Sequence, residues 1–297
     1  MGYSSRYHVA SLAAVFLALA VGILIGSEVG GDILNETRRD LEKSLNEDLD
    51  KTRAENERLR RELGWSDELG VSASLPLVDG RLDGLRIGLV GFGSLPDSVT
   101  GAVDEALRPT GARVVAVGTV REPPSPEALA ESLSGTGFED LDRQKGGLLD
   151  YGRTVGRQMV VGGPIFRLSR SELMSRSSGS FGRLDAVVLF RGPLPEGDAG
   201  SPDRLKARAL ASSIVAGMGT TRARLVGVEE LETRPSGVRF FTARRVPSID
   251  SVDLASGRLS LVFAIDGADG SFGVKETADS LTPQPLVAPD RKPSGRG

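Results

Sequence analysis

The chain contains no cysteine and one histidine, His8. The first absence excludes disulfides, thiolate nucleophiles and thiolate metal sites throughout. The second excludes a Ser-His-Asp arrangement from everything downstream of residue 8. No GxxxxGK[ST] occurs, so nucleoside triphosphate chemistry has no motif. An excess of positive charge is also missing: the formal net charge of -3 gives no electrostatic footprint for nucleic acid. The 297 residues, 39% hydrophobic and with 38 glycines, suffice for one membrane anchor and one or two globular domains.

The first positive signal is YHVASLAAVFLALAVGILIGSEVGG, Tyr7 to Gly31. From Val9 to Gly26 there is no charge, and Ser11 is the one polar residue. As a helix this run covers about 27 Å, enough to cross a bilayer core. The one good cleavage-like triplet, Ala18-Leu19-Ala20, lies inside the apolar run, so the sequence predicts a retained anchor at 9–26 behind a short tail at 1–8. Arg6 opposes Arg38 and Arg39 in the positive-inside count, and the short tail favours an arrangement with the bulk of the chain extracytoplasmic. Within the span Ala10, Ala14, Ala18, Gly22 and Gly26 recur every four residues. Such a stripe of small side chains lets helices approach closely in lipid and predicts a helix pair or a membrane partner.

Residues 33–63 are dense in Glu, Lys and Arg and free of Gly and Pro. Leu34, Arg38, Leu41, Leu45, Leu49, Thr52, Asn56, Leu59 and Leu63 form a seam at spacings of three and four, with one stutter between Leu41 and Leu49. Asn56 at a core position is a device for fixing a parallel dimer in register. A homodimer or higher homo-oligomer is therefore expected, tethering in a membrane favouring the pairing; the alternative is a lone, highly charged helix supported by i,i+4 pairs. Gly64 is expected to end this helix, with 64–84 a linker.

From residue 85 the pattern changes to short apolar runs separated by helical segments. LRIGLVGFGS leads into PDSVTGAVDEALRPTG and then ARVVAVGTV; the rhythm returns in RLDAVVLFRG, PDRLKARALASSIVAGM and ARLVGVEEL. Four strand candidates with helices between them predict an α/β head at 85–283 with a small, mostly parallel sheet, followed by a flexible tail at 284–297. Gly91-Phe92-Gly93 after the first strand suggests a dinucleotide turn, but Pro96 stands where the third glycine belongs and no acid ends the next strand. A plain tight turn is expected there, with no cofactor. Asp250 and Asp253 in PSIDSVD, and the DGADG run from Asp266 to Gly270, are the nearest approaches to a carboxylate or calcium cluster; turns and caps account for both.

The opening YHVASLAAVFLALAVGILIGS, the charged helix behind it, and PSIDSVDLASGRLSLVFAIDG with FGVKETADSLTP resemble the MctB-like copper transporter proteins of actinobacteria and their relatives, from near the start to about Pro283. The resemblance implies a single-pass envelope protein with its domain outside, associated with copper efflux or tolerance in mycobacteria. Related corynebacterial proteins are linked instead to cell separation, with a membrane partner acting on cell-wall hydrolases. It carries no catalytic or metal-binding residue onto this chain, and Asp253, Gly257 and Gly273 read as structural positions of the family. Soft copper ligation wants thiolate, thioether or imidazole, and the chain offers Met1, His8, Met159, Met174 on a predicted helix and Met218, scattered. The expectation is a non-enzymatic, membrane-anchored scaffold that recruits a cell-envelope protein partner; the alternative is an oligomeric component exporting copper directly.

Overall fold

A computed structural model describes residues 5–192 and 200–284. The tail predicted at 284–297 lies, apart from its first residue, outside the described residues, and so do the side chains of Leu34 and Arg38. The chain divides into two units, Met1–Trp65 and Ser66–Gly297.

Helix α1 runs from Ser5 to Val78. Its stretch Tyr7–Gly26 is long and apolar enough to cross a membrane, as the uncharged run requires. Gly64 does not end it, which corrects both the expected stop and the linker at 64–84. A glycine inside a helix costs only about 1 kcal/mol, and the turns after it gain tertiary contacts. Val78 joins an apolar cluster with Ala102, Val103, Leu261 and Val262. The helix closes where Gly80 takes φ +62°.

In the second unit a seven-stranded sheet has the order β3-β2-β1-β4-β5-β6-β7. The strands are β1 (Arg86–Phe92), β2 (Arg113–Val120), β3 (Met174–Gly179), β4 (Ala186–Arg191), β5 (Arg224–Val228), β6 (Ser248–Ile249) and β7 (Ser271–Phe272). All neighbours pair in parallel except β3, which runs antiparallel to β2. The four strands expected from sequence are the central ones. The remaining three were not legible: β6 and β7 have two residues each, and MSRSSG in β3 is polar because it forms an edge, where exposed charge discourages further pairing. Met174, expected on a helix, opens this strand.

The helices are α2 (Asp97–Leu107), α3 (Pro126–Ser132), α4 (Gly147–Val161), α5 (Pro164–Leu173), α6 (Pro202–Met218), α7 (Val238–Thr242) and α8 (Ala255–Asp266). They cover both faces, so each central strand is apolar on both sides. Alternation divides the core: Ile87, Leu89, Ala186, Val188, Phe190, Val226 and Val228 face α2 and α8. Val90, Phe92, Val187, Leu189 and Leu225 face α4, α5 and α6. On this second face α4 and α6 meet backbone to backbone. A Cβ on Gly156 would lie 2.1 Å from the Ile214 carbonyl oxygen, and one on Gly217 would lie 2.0 Å from that of Arg153. Glycine is the residue that permits this approach.

Candidate functional site

A parallel sheet brings the carboxyl ends of its strands to one edge. In this order β1 lies between β2 and β4, so the chain leaves it in one direction for β2 and later resumes on its other side at β4. Open α/β sheets place ligand sites in the crevice outside the strand ends at such a reversal. Here the residues at or just beyond successive strand ends are charged: Glu122 after β2, Arg191 at the end of β4, Glu229 after β5, Asp250 after β6 and Lys275 beyond β7.

Two ion pairs organise this edge. Arg191 Nη1 donates to Glu122 Oε1 at 3.2 Å, with the two side chains 5% and 1% exposed. Burial pushes the Glu122 carboxyl above its ordinary value, against the opposing pull of Arg191. The same burial lowers the Arg191 guanidinium. Glu122 Oε2 and Arg191 Nη2 are buried with no hydrogen-bond partner among the described residues. In the second pair Lys275 Nζ donates to Glu229 Oε1 at 2.6 Å and also to the carbonyls of Glu230 and Thr233. Ser236 Oγ donates to the same carboxylate at 2.7 Å, and the Gly237 amide donates to its other oxygen. Glu229 thereby accepts from three donors on two other segments, an arrangement that fixes loops.

The acids singled out from sequence are engaged in the same way. Asp250 accepts the backbone amides of Val274 at 2.9 Å and Lys275 at 2.8 Å, docking the FGVKETAD segment. Asp253 accepts the Leu231 amide at 2.8 Å. Asp266 pairs with Arg81 and Asp269 with Arg224, each at 2.6 Å. Among the described residues no group of three or more His, Cys, Asp or Glu is arranged to hold a metal ion. Gly91 lies within β1, where a Cβ would stand 2.4 Å from the Ser94 carbonyl oxygen, and the turn follows at Gly93 with φ +76°. Gly257 and Gly273 are likewise positions of close packing, against Ser251 and Asp250.

The thioethers do not converge on the surface. Met159 and Met218 are 0% exposed and Met174 4%, all within the apolar layer on the α4 and α6 side of the sheet. In α1 the residues Ala10, Ala14, Ala18, Gly22 and Gly26 are exposed, as are Leu41, Leu45, Leu49, Leu59 and Leu63. Asn56 Nδ2 donates to the Thr52 carbonyl at 2.9 Å within the helix. A coiled coil is not shown by this single chain.

Sequence reasoning missed Glu122, Arg191, Glu229 and Lys275. The available signal was a charged residue immediately after an apolar strand run, as in VVLFRG and LVGVEE. It is weak, because charges commonly end strands.

A family model described as "Copper transport outer membrane protein, MctB" matches residues 3–156 and 165–283. Proteins named "Copper transporter MctB" from Mycobacterium bovis and Mycobacterium tuberculosis are 24% identical to this chain, with 94% of this chain and 98% of theirs aligned.

Proposed function

Because the chain belongs to the MctB copper transport family, we propose that it serves copper handling as a membrane-anchored, non-catalytic scaffold of the cell envelope. The apolar helix anchors it, its bulk lies outside the membrane, and the Leu41–Leu63 seam pairs copies so that rod and head recruit envelope partners. The observation that carries this reading is the location of the soft donors. Copper(I) binds thiolates and clustered thioethers, whereas the head's three methionines are packed in its core and its sequence has neither cysteine nor histidine. A single helix also encloses no pore.

The test is competition for Cu(I) between a chelator and the full-length protein in detergent micelles. The scaffold reading expects no stoichiometric removal of metal from the chelator. Tight binding abolished by the combined changes Met159→Leu, Met174→Leu and Met218→Leu would overturn it; leucine conserves volume well enough to keep the core intact.

The family description and the relatives' names favour a second reading, direct export by an oligomer whose spans associate through the small-residue stripe. Reconstituted vesicles separate the two. Copper flux above that of empty vesicles, lost when Gly22 and Gly26 become Ile, supports export, and flux equal to empty vesicles supports the scaffold.

A further inference from the structure

Beside the carboxyl end of β4 lies a cleft of about 220 Å³ whose walls include Arg191, Arg208, Arg239, Phe240 and Arg244. The guanidiniums come from the end of β4, from α6, and from α7 with the turn after it. Among the described residues no carboxylate lines the cleft. Glu122 meets Arg191 from outside it and occupies Nη1 alone.

The ring of Phe240 organises these cations. The Arg244 guanidinium carbon lies 3.9 Å and that of Arg191 4.5 Å from its centroid, within the range of cation–π attraction. Arg244 is fixed further by donating from Nη1 to the Phe240 carbonyl and from Nη2 to Ser212 Oγ. Arg191, 5% exposed, lines the cleft and has Nη2 without a partner among the described residues. Burial lowers the Arg244 guanidinium, and the nearby charges of Arg191 and Arg208 lower it again. Gathering like charges around a guanidinium as buried as that of Arg191 is unfavourable unless an anion completes the group.

We propose that this cleft binds a small ligand through a phosphate group, held by the guanidiniums of Arg191, Arg208 and Arg244. Guanidinium forks match the paired oxygens of phosphate. After Glu122 offsets one charge, the surplus suits a dianion better than a single carboxylate. The volume is below the roughly 300–1,000 Å³ of pockets for drug-sized ligands, so the occupant is inorganic phosphate or a compact phosphate ester. The site lies at the sheet reversal and uses none of the methionines, so it stands or falls separately from any role in copper handling.

The experiment is isothermal titration of the full-length protein in micelles, in chloride buffer, with inorganic phosphate and with glucose 1-phosphate. Saturable one-to-one binding of at least one is expected. Equal affinities assign recognition to the free anion, and tighter binding of the ester shows that the cleft also reads the organic group. The side chain of Arg208 is exposed and makes no hydrogen bond or ion pair among the described residues, while its backbone carbonyl, which accepts from Ser212 Oγ, is kept by substitution, so Arg208→Ala should keep the wild-type melting temperature. That change should weaken binding about tenfold, the worth of one charge-assisted hydrogen bond. Arg244→Lys should also weaken it, while exposed Arg222→Ala outside the cleft should not. Absence of saturable binding of both ligands at millimolar concentration overturns the proposal, as does affinity unchanged in Arg208→Ala.

Discussion

The carboxylate of Asp250 occupies the space that a side chain on Gly273 would need: a Cβ there would stand 1.7 Å from Asp250 Oδ1. Gly273 also holds φ +142°, a conformation L side chains rarely adopt. The two residues form one lock, because Asp250 uses its oxygens to hold the amides of Val274 and Lys275, and the chain passes close only because residue 273 has no side chain.

Gly273→Ala is therefore expected to destabilise the head by about 3 kcal/mol, combining backbone strain with overpacking. Gly101→Ala is the control. It is exposed within α2 with nothing near a new Cβ, so it should stabilise by up to about 1 kcal/mol. Denaturant unfolding of the two variants checks both signs.

Asp67 near the end of α1 caps α8 across the fold. Leu254 at the start of α8 supplies no side-chain cap, and the Ala255 amide donates instead to Asp67 Oδ1 while Arg258 donates to Oδ2 at 2.6 Å. Asp67→Ala should cost about 1–2 kcal/mol, as losing a helix cap does. Asp67→Asn should recover part of this, since its amide oxygen still accepts. The same unfolding assay reads both.

The Glu122–Arg191 pair predicts asymmetric mutational costs. Arg191→Met should destabilise by about 3–5 kcal/mol, because it leaves a buried carboxylate without its partner. The double change Glu122→Gln with Arg191→Met should cost much less. A double-mutant cycle measures the difference.

The raised pKa of Glu122 also fixes a sign with pH. Its folded value lies above the ordinary 4.5, so in the window between the two the folded state binds more protons. The contribution of this group is fully present below 4.5 and is lost as pH rises through the folded value. Wild type should therefore gain stability relative to Glu122→Gln as pH falls through that window. A difference independent of pH would contradict the shift.

In α1 the amide of Asn56 is satisfied by its own helix, so pairing through the seam needs no new partner for it. Asn56→Val should raise the thermal stability of an oligomer and broaden its distribution of states, since a buried Asn serves register rather than stability. Sedimentation of the full-length protein in micelles checks this. A monomer in both cases would exclude the paired rod.

The sequence by itself determined what depends on local periodicity and transfer energy. The uncharged run of 9–26 dictated an apolar helix of membrane length, and ARVVAVGTV and VVLFRG dictated central strands because both their faces had to be buried. PDRLKARALASSIVAGM marked α6 to its residue, with Pro202 at its first position and a glycine after Met218. Tertiary structure decided whatever rests on partners distant in the chain. Gly64 failed to stop α1, because a penalty of about 1 kcal/mol is offset by packing of the following turns on α2 and α8, together with the bond from Asp67 to a helix 188 residues away. Strands β6 and β7, of two residues each, carry too little pattern to be read; they exist because β5 offers an edge to pair with. The charged edge was illegible for the same reason. Glu122 and Arg191 are 69 residues apart, and Lys275 and Glu229 46, and only parallel pairing, which brings the strand ends to one side of the sheet, turns such separate charges into neighbours.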